Sequence, residues 1–318
     1  MRKNVKNTIH LEGYVYEHKL AVKTVQNKES ENFGKEFING TLSIATDEDC
    51  LNVVPINFTY VTPTTKNGKV NETYTVLKEI IDSGKTVLVD GKDNAMKVRI
   101  DTSLGVNDFY TNRDGKEEVL VSAQRCDGGF VHKTNTFSDK LDKRNRFEFD
   151  MLINKVTRVE ADEEKHIDED YVEVKGYVFN FRNEILPTKL VVKGKGGMDY
   201  FESLDASDKN LIFTKVWGSI NSENIVTRVE EEVAFGAPLV KEFTRSKKEW
   251  IVTGAAKESY EVGDAENGIT LEEVEEAEKN RNIYLADVKK RQDEYQATKN
   301  AGAALAGVAA TAVAGFNF

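Results

Sequence analysis

The chain has 318 residues, of which 39% are hydrophobic and 31% charged, with 4 Pro, 22 Gly and 2 Cys. That composition supports one large or two ordinary cores and excludes collagen-like and proline-rich classes; Cys50 and Cys126, far apart, exclude a disulfide framework and fit a reducing cytoplasm. The net charge of −10 argues against nucleic acid as a bulk average, but much of the acid sits in two blocks, Glu160–Asp170 and Glu261–Glu278, so single faces can still be basic.

The polar start Met1-Arg2-Lys3-Asn4-Val5-Lys6 is read as no signal peptide, and a cytoplasmic protein is expected. From residue 5 to 256 the chain reads mainly as strands, at 8–25, 36–46, 52–61, 86–90, 95–103, 117–126, 146–158, 170–182, 186–194, 210–220, 224–235 and 247–254. Glu72–Asp82 interrupts them as a helix, with Tyr74, Leu77, Ile80 and Ile81 at helical spacing and Ser83-Gly84 as its stop. Asp199–Leu204 is a second, shorter helix candidate.

Gly13-Tyr14-Val15-Tyr16 recurs as Gly176-Tyr177-Val178-Phe179, each followed by two further strands, a helix candidate and closing strands. That order is the order of an OB-like barrel, in which a glycine lets the first strand bend between two sheets. The fold class expected is therefore mainly β: two OB-like β-barrels in tandem, with a C-terminal α-helix and a flexible tail. The first barrel is placed at 1–140 and the second, with its acidic connector, at 141–258. Phe147–Val159 is left either in the connector or as an extra strand of the second barrel. An acidic segment and long helix follow at 259–300, opening on the capping pattern Thr270-Leu271-Glu272-Glu273. The Ala/Gly-rich segment 301–318 lacks the insertion energy of a membrane span and is read as a flexible or weakly helical tail.

Catalytic constellations are missing. His10, His18, His132 and His166 stand at no metal-ligand spacing. Gly194-Lys195-Gly196-Gly197 lacks the spacing and the Ser or Thr of a phosphate loop. The reading is a protein that is not an enzyme and needs no cofactor and no metal.

Alternation puts His10, Glu12, Tyr14 and Tyr16 on one face of the first strand and Glu173, Lys175, Tyr177, Phe179 and Phe181 on one face of its counterpart. Large aromatics on a half-charged face suggest a platform for stacking bases, set against ordinary packing under a loop or helix. Cations accompany them. Lys97 and Arg99 share a strand face, Arg125 and Lys133 flank Phe130 in a Gly128-Gly129 loop, and Arg182, Lys193 and Lys195 follow the second aromatic strand. Lys215 alternates with Trp217, and Arg245, Lys247 and Lys248 precede Trp250. A cationic surface interleaved with aromatics suits single-stranded nucleic acid; solvated lysines are the plainer explanation for any single one.

Three segments carry a family resemblance: Phe37-Ile38-Asn39-Gly40-Thr41-Leu42 with Ile44-Ala45; Val174-Lys175-Gly176-Tyr177-Val178; and Lys241-Glu242-Phe243-Thr244 through Trp250-Ile251-Val252-Thr253-Gly254. In these the chain resembles single-stranded DNA-binding proteins of phages that infect Gram-positive bacteria. The resemblance implies tandem OB-like barrels, a role in replication or recombination, single-stranded DNA as partner and no cofactor. It leaves open replication or recombination proteins gripping the C-terminal region, through Phe316 and Phe318, and a homo-oligomer; no membrane partner is expected. Two other readings compete: a structural or assembly protein of a phage particle, and a protein-binding adaptor.

Overall fold

The computed structural model describes residues 5–112, 118–165, 167–231, 235, 239–260 and 268–313. Its strands are β1 (Asn7–His18), β2 (Ala21–Thr24), β3 (Glu36–Ala45), β4 (Val53–Val61), β5 (Lys97–Thr111), β6 (Val119–Lys133), β7 (Asn145–Val159), β8 (Tyr171–Phe179), β9 (Ile185–Val192), β10 (Ile212–Glu231) and β11 (Leu239–Ala255). Its helices are α1 (Glu72–Ser83), α2 (Val87–Asp90), α3 (Leu141–Arg144), α4 (Lys195–Glu202) and α5 (Leu271–Val313). The protein is mainly β, as the sequence implies.

Two rings of five strands account for ten of the eleven strands. β1 pairs antiparallel with β3 and β5, β3 with β4, and β5 with β6, while β4 meets β6 in parallel. The second ring repeats this plan: β7 pairs with β8 and β10, β8 with β9, β10 with β11, and β9 meets β11 in parallel. In each ring a helix, α1 or α4, lies between the third and fourth strands, the OB-like order. Each parallel joint is two residue pairs long, Ile56↔Cys126 with Asn57↔Asp127 and Ile251↔Val191 with Val252↔Val192, so neither ring is sealed along its length. Pairing of β1 with β7 (Ile9↔Phe147) fuses both rings into one sheet.

Gly13 sits where β1 leaves β5 and takes up β3, and a Cβ there would lie 2.1 Å from the Ala45 carbonyl oxygen. Gly176 meets the same constraint, 2.0 Å from the Leu152 oxygen, but on the second strand of its ring. The repeated Gly-Tyr-Val-aromatic tetrads are therefore not equivalent. β7 is the counterpart of β1, and Phe147–Val159 belongs to that first strand.

The true repeat is carried by asparagine. Asn7 opens β1, donates through Nδ2 to the Leu104 carbonyl (3.1 Å) and accepts from the Leu104 N–H (2.8 Å). Asn145 opens β7 and does the same to Ile220, at 2.7 and 3.0 Å. Each carboxamide acts as one extra strand residue, satisfying the fourth strand where the first strand runs out. Asn145 is buried. Asn145→Ala leaves the Ile220 N–H without its partner, while the Ile220 oxygen keeps Asn52 Nδ2 at 3.0 Å. The expected loss is about 1–3 kcal/mol, read as a lower urea midpoint at unchanged m-value.

The main core fills both rings continuously, with Leu77 and Ile80 of α1 plugging the first and Met198 and Phe201 of α4 the second. A separate cluster, Leu152, Phe179, Ile185, Phe213, Ile269, Val274 and Ala277, lies outside the second ring under the start of α5. The expected capping box forms: Thr270 Oγ1 accepts from the Glu273 N–H (3.2 Å) and Glu273 Oε2 from the Thr270 N–H (2.9 Å).

Other expectations shift. The strand expected at 86–90 is the helical turn α2, because Thr86 Oγ1 accepts from the Val89 N–H (3.3 Å) and starts a turn. The segment 8–25 splits into β1 and β2, and 210–220 merges with 224–231 in β10. Residues 301–313 of the expected flexible tail continue α5. Among the described residues no helix is long and apolar enough to cross a membrane.

Candidate nucleic-acid interface

Strands β6, β5, β1, β7 and β10 are hydrogen-bonded neighbours, and their outer faces form one surface spanning both rings. Cross-strand register sets its rows. Phe130 stands opposite Asp101, Asp101 opposite His10, and His10 opposite Arg146. In the next row His132 faces Arg99 and Arg99 faces Glu12; beyond it Lys97 faces Tyr14. On the second ring Glu148 faces Trp217, with Lys215 two residues along β10.

Charges on this face are matched but not cancelled. His10 lies between Asp101 (Nδ1, 2.6 Å) and Glu12 (Nε2, 3.1 Å). Burial pushes the Glu12 carboxyl up, and the Ser138 N–H, His10 and the Ser138 hydroxyl together outweigh it and hold it below the usual glutamate range. Arg146 and Lys215 share Glu148 at 3.8 and 3.7 Å. Arg99 is exposed and makes no ion pair with a described residue. At the margin Glu48 bridges Lys92 and Arg144, whose hydrogen bonds bring its carboxyl down to about 2.

The sequence-predicted residues divide by burial. Tyr14 is only 8% exposed: its ring meets Phe137 edge-on at 5.0 Å and is flanked by Lys92 and Lys97 ammonium groups at 5.2 and 5.6 Å. Phe179 is buried against Phe213, and Tyr177 packs on the same cluster under α5. Neither Tyr14 nor Phe179 has a free face for a base; long-range packing covers both rings that alternation left open. Phe130 (68% exposed) and Phe181 (71%) are open, and Tyr16 is half-buried. Trp217 is half-buried, its indole lying across Gly254, where a Cβ would come within 2.5 Å, and the Arg146 guanidinium stands 5.7 Å from its centroid.

The Gly128-Gly129 segment is not a loop: β6 runs through it, and both glycines adopt positive φ (67° and 117°) in a bulge opposite Asp101–Ser103. That bulge keeps Arg125, Asp127, Phe130 and His132 on one face. Lys133 is held by Glu79 at 2.5 Å, Lys195 by Asp199 at 2.7 Å, and Lys193 by Glu169 and Glu249, both at 3.2 Å. The last two lie on the β9–α4 side, apart from the outer face. Phe316 and Phe318 lie outside the described residues, as do His166 and residues 261–267 of the second acidic block.

Where Ser103 and Asp127 end the outer face, a cleft of about 300 Å³ opens between the rings and gathers Arg125, Phe181 and Arg182 from separate parts of the chain. Arg182 stacks on Phe181 at 5.3 Å, and Arg125 pairs with Asp127 at 3.3 Å. Arg281 and Tyr284 of α5 form its far wall.

Sequence reasoning missed Arg146, which alternates with buried Phe147 and shares the outer face with Glu148, and which was legible as an outward cation in the strand expected at 146–158. It also missed a stacked pair on the opposite side of the first ring, Phe37 and Tyr60 (4.7 Å between centroids), beside a cleft of about 680 Å³. Among the described residues no group of His, Cys, Asp and Glu could hold a metal ion. Cys126 is fully buried, and desolvation pushes its thiol up to about 11, a structural and unreactive setting.

Comparison with known proteins gives one family match: the family model YorF matches residues 6–291. No curated protein matches. Among solved structures, a deletion mutant of the single-stranded DNA binding protein from Thermus aquaticus is 8% identical, with a TM-score of 0.43, over 83% of this chain and 100% of that chain. A likeness of that size carries no weight for function.

Proposed function

The chain belongs to the YorF family, and we propose that it binds single-stranded DNA along the outer face of β6, β5, β1, β7 and β10. One observation carries this reading: five hydrogen-bonded strands from two rings present Arg99, Arg146 and Lys215 interleaved with Phe130 and Trp217, and the face runs on into the cleft of Arg125, Phe181 and Arg182. Phosphates meet the cations and displace counterions. Exposed rings stack bases, which every base permits, so the face tolerates sequence. A duplex hides its base faces and gains only the phosphate contacts. The acid that sets the net charge is concentrated elsewhere, as in the β7–β8 connection and the first turn of α5. No step of bond chemistry is required of any residue. Service in phage replication or recombination extends the same reading.

The test is fluorescence anisotropy of a labelled oligo-dT at two salt concentrations, with duplex DNA as competitor. Tight binding that weakens steeply with salt and resists duplex is expected. Absence of binding at low salt overturns the reading and favours an assembly role.

A further inference from the structure

The second ring carries a row of lysines that works against its own sheet. Lys155 of β7 stands opposite Lys175 of β8, and Lys175 opposite Lys189 of β9, so three ammonium groups share one face in register. Neighbouring strands lie about 4.8 Å apart, and like charges set directly opposite destabilise a sheet. One carboxylate holds two of them: Glu173, two residues before Lys175, takes Lys175 at 3.1 Å and Lys189 at 3.0 Å. Burial pushes the Glu173 carboxyl up, and Lys189 and Lys175 outweigh it and hold it below the usual glutamate range. Lys155 is exposed and makes no ion pair with a described residue.

The row borders a cleft of about 320 Å³ whose described lining holds one carboxylate, Asp208, to which Asn154 Nδ2 donates at 2.9 Å. Three positive charges thus stand against two negative ones, Glu173 and Asp208. The one aromatic ring in that lining, Tyr177, is half-buried and packs on the cluster under α5. The site offers charge and no open ring. We propose that the lysine row takes the phosphodiester backbone of the bound nucleic acid beyond the outer face, by charge alone and without contact to bases. The inference rests on the single-strand reading above and deepens it with a second contact.

Position favours a polynucleotide over an acidic peptide. Adjacent residues line this cleft and the Phe181–Arg182 cleft: Gln124 and Arg125 on β6, Pro187 and Leu186 on β9. Between them the Lys189 N–H donates to Gln124 Oε1 at 2.9 Å. A strand held in the first cleft brings its flanking phosphates to the lysines at high effective concentration, and a free peptide lacks that tether. An ammonium is a compact charge that accepts a phosphate from any direction. The backbone has two sources, the same single strand running on or the first turns of an adjoining duplex.

The experiment compares three labelled ligands: the shortest oligo-dT that binds, a longer oligo-dT, and the short oligo-dT joined to a duplex. Each is titrated at several salt concentrations on wild type and on the double variant Lys155→Gln, Lys189→Gln, which leaves Lys175 to pair with Glu173. Wild type is expected to bind at least one extended ligand tighter than the short one. The double variant should lose that gain, lower the salt slope on the extended ligand by about one per lysine, and bind the short ligand as wild type does, which also shows that it is folded. A gain confined to the junction assigns the row to duplex phosphates, and one confined to the longer oligo-dT assigns it to the single strand. Equal binding of all three by wild type, or a gain and slope untouched in the double variant, overturns the lysine row and leaves the single-strand reading standing. Binding of poly-glutamate that the double variant loses, with DNA binding unchanged, gives the row to an acidic protein partner and overturns it as a DNA contact. Binding of none of the DNA ligands overturns both readings.

Discussion

Arg281→Ala is expected to destabilise the protein by about 3–5 kcal/mol, the usual cost of stranding one partner of a buried ion pair. The Arg281 guanidinium on α5 holds Asp108 of β5 in a two-pronged contact, at 2.8 and 2.5 Å, and also donates to Ser122 Oγ at 3.2 Å. Its side chain is 6% exposed and that of Asp108 is 0% exposed. Without the arginine, the Asp108 side chain keeps, among the described residues, only the Ser122 hydroxyl, at 2.6 Å. The pair is the centre of the seat of α5. Gln292 meets the Tyr110 backbone on both sides, donating to its carbonyl (2.6 Å) and accepting from its N–H (2.9 Å), and Asn280 donates to the Asn183 carbonyl of the second ring (3.3 Å). Equilibrium urea unfolding reads the loss, and hydrogen exchange localises it to α5 and the β5–β6 hairpin. The double variant Arg281→Met, Asp108→Leu should recover most of the stability, because it strands no charge. An unchanged midpoint in the single variant would show that the pair contributes nothing.

Much of the fold was legible because ring strands advertise themselves. Ile9, Leu11 and Val15 alternate with polar residues, Leu77 and Ile80 keep helical spacing, and Thr270 with Glu273 announces the last helix. The internal repeat was legible as two modules, but not in its register. Gly-Tyr-Val-aromatic suits any strand that must approach a neighbour closely, so it recurs on a first strand and on a second. The residues that mark equivalence, Asn7 and Asn145, are single polar residues at strand starts, and nothing local says that they hold a backbone across the ring. The candidate site was legible in Arg99, Arg125, Arg182 and Lys215 and in Phe130 and Phe181, and not in Arg146. It was illegible at Tyr14 and Phe179, because what covers them is distant in sequence: Phe137 and Lys92 over the first, Ile269 and Val274 beside the second. Period-two alternation reports which side a ring points to, and tertiary packing decides whether water or protein meets it there.

Burial therefore separates the aromatics by a test that stability cannot mimic. Phe130→Ala and Phe181→Ala remove rings that are 68% and 71% exposed, so the unfolding midpoint should stay close to wild type. If each ring stacks a base, each substitution weakens single-strand binding by about 1–3 kcal/mol, and the double variant by close to the sum if the sites are independent. The salt dependence should stay as it was, since no phosphate contact is lost. Tyr14→Ala and Phe179→Ala are the opposite case. Their rings are 8% and 4% exposed, so the expected cost is stability, about 3–5 kcal/mol for the phenylalanine, with affinity unchanged at temperatures where the variant remains folded. The measurement is anisotropy on oligo-dT for all four variants beside their urea curves. Loss of affinity in the Tyr14 and Phe179 variants with none in the Phe130 and Phe181 variants would place the bases at the covered rings and overturn stacking on the exposed ones. Equal affinity in all four would remove stacking from the account and leave the cations alone to explain any binding that the salt titration shows.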